Sequence, residues 1–355
     1  MEVSTSFVTG YAVKDWKGIT EFAQEAERVG VASLWSPEAW GHDGATPLAY
    51  LAAKTSTIGL GTSILQVGAR TPANLAMTAM SLYSMSEGRF KLGIGTSGPQ
   101  VMEGWHGIIF DQPIQRTRET IEILKKIFRG ERLSYHGQFY KMPIREGEGK
   151  PLASVAEPTP DLPIYVASLG PANLRLTGEI ANGWRGTSFM PEHAEIFFGP
   201  MAEGAKMSGR SLEDLDLQVG GTVWFTEDVD SAVEDMKPAI AYSWGAMGSR
   251  SHNFYNQAYG RAGYAELAGE IQNLWLKGRH KEARDLVPTD VVLKSHLIGT
   301  DQMIKERIRA YRDAGVTTLA ARPAPGGLPN AKPGLETRVG ILERLVDLVR
   351  QVEAE

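Results

Sequence analysis

The chain has 355 residues, of which 42% are hydrophobic and 22% charged, and its formal net charge at pH 7 is −5. This composition provides enough apolar material for a large core, and the interspersed charges argue against a nucleic-acid binder. The chain contains no cysteine, which excludes disulfides, thiolate nucleophiles, zinc ribbons and iron–sulfur sites. No signal-peptide pattern or apolar run of membrane length occurs, so we expect a cytoplasmic protein.

The first part of the chain alternates short apolar strands with helices. The helix predicted over residues 16–29 has apolar residues at helical spacing and ends at Gly30, a typical cap. Pro72 suits the first turn of another helix. The pattern predicts strands at 3–8, 31–35, 57–65 and 90–94, and helices at 16–29, 47–53 and 72–85.

The alternation continues after a polar loop at 145–160. A small hairpin is predicted at 133–140, and a glycine- and aromatic-rich segment at 242–288 breaks the rhythm without a clear strand. We interpret 242–288 as a mostly helical insertion. The remaining predicted strands are 164–167, 183–186, 215–225 and 316–320, and the remaining helices are 117–128, 171–181, 191–206, 228–241, 301–313 and a last one ending near 352.

About eight strands separated by helices predict a parallel sheet, and eight units favour a closed (β/α)₈ TIM barrel. We therefore expect a single domain of 355 residues that carries the insertion late in the barrel. A doubly wound dinucleotide-binding fold is the alternative, because Gly93, Gly95 and Gly98 spell G-x-G-x-x-G after a strand. The following residues, 101–107, contain two more glycines and no helical periodicity, which disfavours that alternative.

In a barrel of this kind the chemistry lies on the loops that follow the strands. Glycine and polar residues are concentrated in those loops. Gly170 and Pro171 open a helix whose free N–H groups favour an anion, and hydroxyl donors follow the next strand. These loops predict a phosphate site at Ser168, Leu169, Gly170, Thr187 and Ser188.

Several side chains on this rim are candidates for catalysis. Glu38, His42 and His106 are candidate proton-transfer groups, although a solvated acid or a merely hydrogen-bonded histidine fits the same pattern. Trp40 and Trp105 fit either a ring pocket or the core. Gln100 is predicted beside Trp105 in the substrate pocket. No His/Asp/Glu set has the spacing of a metal site, so we expect none.

Longer motifs carry a family resemblance over nearly the whole chain. They are the sequence Gly61-Thr62-Ser63-Ile64 on the third strand, and the segments 88–99, 164–171 and 178–184. With these motifs the chain resembles the luciferase-like superfamily of flavin- and deazaflavin-dependent oxidoreductases. It looks most similar to the branch that uses the deazaflavin coenzyme F420.

The resemblance implies a barrel whose cofactor ring lies against the third strand, where a non-prolyl cis peptide would join Ser63 and Ile64. The cofactor phosphate would bind at the loops after the fifth and sixth strands. The cofactor-binding set implied by the motifs is Trp40, Ser63, Ile64, Thr96, Ser97, Gly98, Ser168, Leu169, Gly170, Gly183, Thr187 and Ser188.

The expected activity is hydride transfer between coenzyme F420 and a small organic substrate. A sugar phosphate is disfavoured, because Ser97-Gly98 stands where the sugar-phosphate dehydrogenases of the family carry a carboxylate. The alternatives are an FMN-dependent monooxygenase of the same fold and a non-catalytic flavin-binding barrel. We expect a small-molecule substrate, no nucleic-acid or membrane partner, and a homodimer or higher homo-oligomer.

Overall fold

The computed structural model describes residues 1–7, 14–247, 253–323 and 334–355. Eight parallel strands follow one another around a closed barrel, since the first strand pairs with both the second and the last (Glu2↔Thr318). The predicted (β/α)₈ barrel is therefore confirmed. The strands are β1 Glu2–Ser6, β2 Ser33–Ser36, β3 Gly59–Thr62, β4 Phe90–Gly95, β5 Ile164–Ala167, β6 Gly183–Arg185, β7 Asp216–Val219 and β8 Thr318–Pro323.

Amphipathic helices surround the barrel and bury their apolar faces against the outside of the strands. Two helices have the predicted bounds, namely Pro72–Met85 and Asp301–Asp313, and most others differ by a few residues at an end. The other outer helices are Trp16–Arg28, Thr46–Ala52, Pro113–Phe128, Pro171–Ile180, Glu195–Met207, Val229–Gly245 and Leu335–Glu353.

Three local predictions need correction. The first strand is Glu2–Ser6 and not 3–8, and residues 8–13 lie outside the described part. Residues 99–104 form a short helix after all, because Gly98 is an extended N-cap and Pro99 fits the first turn. The strand predicted at 215–225 is broken into β7 and Thr222–Phe225.

The break between β7 and Thr222–Phe225 falls at Gly220 and Gly221, where close backbone contacts leave no room for side chains. A Cβ on Gly220 would lie 2.6 Å from the carbonyl oxygen of Ala320, and one on Gly221 would lie 2.3 Å from that of Ser295. Beyond the break, Thr222–Phe225 pairs with β8 and with Leu297–Gly299, a short strand that the sequence analysis missed.

The segment where we expect an insertion contains helices in its described part. They form a second apolar cluster centred on the buried Trp244, apart from the main core around the barrel. We use the name inserted helices for three helices of this segment, Phe254–Tyr259, Ala265–Leu276 and His280–Asp285, and for the helix that follows it, Thr289–Ser295. Among the described residues, every helix is too short or too polar to cross a bilayer.

The lower barrel interior is filled by large polar and aromatic side chains. The Arg185 guanidinium stacks on the ring of Trp35, 4.2 Å from its centroid, and donates to Gln218. Tyr165 packs edge-on against Trp35 and donates to Asp216. Burial lowers the pKa of Arg185 to about 10, so the side chain stays charged at neutral pH. This layer closes the barrel below its carboxyl-end mouth.

Candidate active site

The third strand carries the unusual backbone that the resemblance implies. The peptide bond between Ser63 and Ile64 is cis, as expected. The chain then resumes pairing with β4 through Leu65↔Ile94, and the Ile64 side chain lies over Gly95. Ser63 and Ile64 are half-buried, so this bulge faces the barrel mouth at the carboxyl ends of the strands.

The loops after β2, β3 and β4 enclose a cleft of about 290 Å³ on this rim. It brings together all three histidine and glutamate residues predicted as catalytic, although they lie up to 68 positions apart. Trp105 lines the cleft as well, and its side chain is 64% exposed. The lining residues are Glu38, Ala39, Gly41, His42, Asp43, Ala69, Arg70, Trp105 and His106.

Glu38 is held in this cleft by an ion pair. Its two carboxylate oxygens accept from the two terminal nitrogens of Arg70 at 2.6 and 2.8 Å, and one also accepts from the backbone of Gly44. The hydrogen bond to Glu38 raises the pKa of Arg70. With both oxygens hydrogen-bonded, Glu38 holds the loop after β2 in place, and its role in proton transfer stays a prediction.

The two histidines of the cleft differ. His42 is exposed and packs edge-on against Trp16, with ring centroids 5.4 Å apart. The Nε2 atom of His106 is buried and has no hydrogen-bond partner in the described part of the chain. A buried polar atom without a partner is rare in proteins and points to a missing ligand or water. His106 is therefore the more enclosed of the two histidines.

The loop after β4 lies beside the bulge. Val67 and Thr96 line a narrow crevice together, and Ser97 adopts a left-handed backbone with φ of 57°. Gln100 is exposed on the short helix and does not line the cleft, whereas Trp105 does. Trp40 is 56% exposed between two lining residues. The structure thus gathers most of the predicted ring-binding residues at one side of the mouth.

The predicted phosphate loop follows β5. Gly170 is the N-cap of helix Pro171–Ile180 and has no side-chain cap, and no described heavy atom lies within 4 Å of a Cβ built on it. Asn173 is buried, and its Oδ1 atom has no partner in the described residues. The open helix start offers free amides to an anion.

The Ser168 hydroxyl is buried and hydrogen-bonded to that of Thr177 at 2.8 Å. It therefore orders the loop and contributes no free donor. Gly183 lies away from these two loops. It begins β6 at the amino end, about 13 Å of extended chain before Thr187, and a Cβ there would lie 2.3 Å from the Tyr165 ring. Close packing accounts for this glycine.

The sequence analysis missed a basic residue at this loop. Arg261, in the turn between two of the inserted helices, donates to the carbonyl oxygen of Leu169 at 2.5 Å, and its Nε has no partner among the described residues. Burial lowers its pKa. Thr187 and Ser188 are half-buried. The loops therefore combine amides, hydroxyls and one guanidinium, a set that suits a phosphate.

No three or more histidine, aspartate or glutamate side chains come together as a metal site in the ranges that the structure describes.

A family model described as luciferase-like monooxygenase matches residues 3–318. A putative coenzyme F420-dependent oxidoreductase of Mycobacterium tuberculosis is 35% identical over 307 residues, which cover 84% of this chain and 88% of that protein.

Two solved structures share the fold. The coenzyme F420-dependent tetrahydromethanopterin reductase of Methanopyrus kandleri superposes with a TM-score of 0.76 at 24% identity, covering 98% of this chain and 99% of that one. A type II Baeyer–Villiger monooxygenase of Pseudomonas putida, in complex with FMN, superposes with a TM-score of 0.67 at 18% identity, covering 99% and 98%.

Proposed function

Because the chain belongs to the luciferase-like monooxygenase family, we propose that it is an oxidoreductase that transfers a hydride between coenzyme F420 and a small organic substrate. The observation that supports this proposal most directly is the open helix start at Gly170 beside Arg261. A phosphate-bearing cofactor fits these groups, and the relative from Mycobacterium tuberculosis is named for F420. When bound, F420 would supply the hydride acceptor or donor.

This chain's residues would bind and orient the cofactor. Gly170, Ala172 and Asn173 offer backbone amides to the phosphate, while Arg261 adds a positive charge. The cis bulge at Ser63–Ile64 would support the ring from the opposite side of the mouth. The unpartnered Asn173 Oδ1 would accept a hydrogen bond from a hydroxyl of the cofactor chain.

His106 would hold or move the proton at its Nε2 atom. Glu38 and Arg70 would keep the loop after β2 in place, so that the cleft beside His106 keeps its shape. Trp105 would shield the cleft from water, because its ring stands at the opening. Hydride transfer needs a dry site with a correctly placed proton donor, and this arrangement supports both needs.

The experiment that tests the cofactor assignment is a fluorescence titration of the purified protein with F420 and, separately, with FMN. We expect saturable F420 binding that is at least tenfold tighter than FMN binding. FMN preference would favour the monooxygenase alternative, for which the FMN-bound neighbour is the supporting observation. Binding of neither cofactor would refute the proposal.

A second experiment tests the role of His106 in the F420 assay, using whichever ketone, enone or imine is turned over. His106→Gln should lower kcat by about 100-fold, because glutamine forms hydrogen bonds but cannot donate or accept a proton at neutral pH. Its F420 affinity should stay within twofold. His42→Gln is the matched control from the same cleft and should keep most of the activity. Equal losses in both variants would contradict the assignment.

A further inference from the structure

A second set of groups without partners among the described residues lies on β8 and just before Leu297–Gly299. Arg322 is the fifth residue of β8, and its register partner across the sheet is Thr222. Thr222 in turn donates its backbone N–H to Nδ1 of His296 at 3.2 Å. Arg322 and His296 therefore flank the same residue, one on β8 and the other just before Leu297–Gly299.

The strand alternation directs Arg322 inward. The Thr318 hydroxyl donates to Asp216, which belongs to the polar layer inside the barrel. Because side chains of a strand alternate between its two faces, Ala320 and Arg322 point to the same side as Thr318. Ala320 is small, so the space between the interior layer and Arg322 is not filled from β8. Arg322 projects over the barrel mouth.

The Arg322 guanidinium has no hydrogen bond or ion pair with any described residue, and it is exposed to solvent. Burial nevertheless lowers its pKa, and three neighbouring tyrosines, Tyr259, Tyr311 and Tyr255, oppose that shift. None of the described carboxylates forms an ion pair with it.

His296 adds a second donor. Its ring is only 7% exposed, and the Nε2 atom has no partner among the described residues. Because Nδ1 accepts the Thr222 amide, the ring proton of the neutral imidazole must be on Nε2. Two neighbouring donors thus lack an acceptor, and a buried donor without an acceptor costs about 1–3 kcal/mol.

We propose that Arg322 and His296 form the site for an anionic oxygen group, a carboxylate or a phosphate, of the substrate. This inference rests on the proposed function, and it assigns the substrate class: a small organic molecule that carries a negative charge. The cofactor's own phosphate has the same chemistry. It has its own candidate site on β5 and β6, whereas Arg322 lies on β8.

The test compares benzoate with benzamide, which have nearly the same shape and differ in charge. Both are titrated into the F420-loaded protein at pH 7.5. Benzoate should bind at least tenfold more tightly than benzamide to the wild type. Arg322→Gln should abolish this preference, and Arg322→Lys should keep part of it. Arg132→Gln, the control at an exposed arginine, should keep all of it. A preference that survives in Arg322→Gln, or is missing in the wild type, overturns the inference.

Two further measurements separate the possible causes. Arg322→Gln should bind F420 within twofold of the wild type; a tenfold loss would assign the guanidinium to the cofactor phosphate and overturn the inference. The same probe titration is repeated without cofactor. If the protein takes up no F420 but still prefers benzoate by way of Arg322, the proposed cofactor is wrong while the anion site is supported. Thermal melts of each variant verify that it is folded.

Discussion

Gly93 lies inside β4 and Gly170 lies just after β5, and the space around the two glycines differs. A Cβ on Gly93 would lie 1.8 Å from the carbonyl oxygen of Thr62, whereas one on Gly170 would meet no described heavy atom within 4 Å. In the wall of the barrel, glycine allows two strands to approach each other. On the rim, glycine leaves room beside free amides. The same residue type therefore allows close packing in one region and leaves an open helix start in the other.

The largest effect is expected for Gly93→Ala, in the wall of the barrel. The added methyl group would overlap the Thr62 backbone, which cannot move without displacing β3. We expect a loss of about 3 kcal/mol or more in the free energy of unfolding. Urea denaturation followed by circular dichroism measures it. If this variant is as stable as the wild type, the close approach of β3 and β4 does not require glycine at position 93.

Gly170→Glu tests whether the glycine on the rim leaves room for a ligand. The carboxylate would occupy the space of the expected phosphate and repel it, so F420 affinity should fall by about 100-fold, or a few kcal/mol. The melting temperature should change little, because the loop lies on the rim. Gly170→Ala is the matched control and should bind within twofold of the wild type. If calorimetry finds tight cofactor binding in Gly170→Glu, the phosphate site lies elsewhere.

Not all of the rim is open like the surroundings of Gly170. The ion pair of Glu38 and Arg70 holds another part of it tightly. The Glu38 side chain is 7% exposed and that of Arg70 21% exposed. Arg70→Met leaves the carboxylate without its partner and should cost about 2 kcal/mol of stability. The double variant Glu38→Gln/Arg70→Met should recover part of that loss in thermal or urea melts. Strict additivity of the two single losses would show that the pair is not coupled.

A further prediction concerns the pH dependence of stability at His296. Burial, together with the charge of Arg322, lowers the pKa of this histidine to about 3. The unfolded chain, with a pKa of about 6.5, then binds the proton more readily than the fold. Stability is therefore fully present above pH 6.5 and falls by about 1.4 kcal/mol per pH unit as the pH drops toward 3.

Urea melts at intervals between pH 7 and pH 4.5 measure this slope. His296→Gln keeps an acceptor for the Thr222 amide but has no proton to bind, so its stability should depend less steeply on pH. An equal slope in the two proteins would show that other groups cause the acid sensitivity.

The order of strands and helices was predictable because it depends on local patterns. Pro72 starts one helix and Gly30 follows another, and such signals act within a few residues. The short helix Pro99–Gly104 was missed because six residues are too few to show a periodicity. The strand Leu297–Gly299 was missed for the same reason, since three apolar residues fit a strand or a helix equally well.

The site was predictable only where residues follow strand ends. Glu38, His106 and Gly170 were found in this way, because the carboxyl ends of barrel strands converge. What each residue does there depended on distant partners. The Arg70 that pairs with Glu38 lies 32 positions away, and the Arg261 at the phosphate loop lies 92 positions from Leu169. No spacing rule connects such pairs.

The hydrogen bond from Arg261 to Leu169 ties the inserted helices to the loop that we expect to hold the cofactor. Two parts of a molecule joined in this way are thermodynamically coupled, and the coupling acts equally in both directions. If a ligand at the end of β5 tightens this contact, it must also reduce the local opening of the inserted helices by the same factor. Amide hydrogen exchange in helix Ala265–Leu276 then reports on the occupancy of a site to which that helix contributes no ligand.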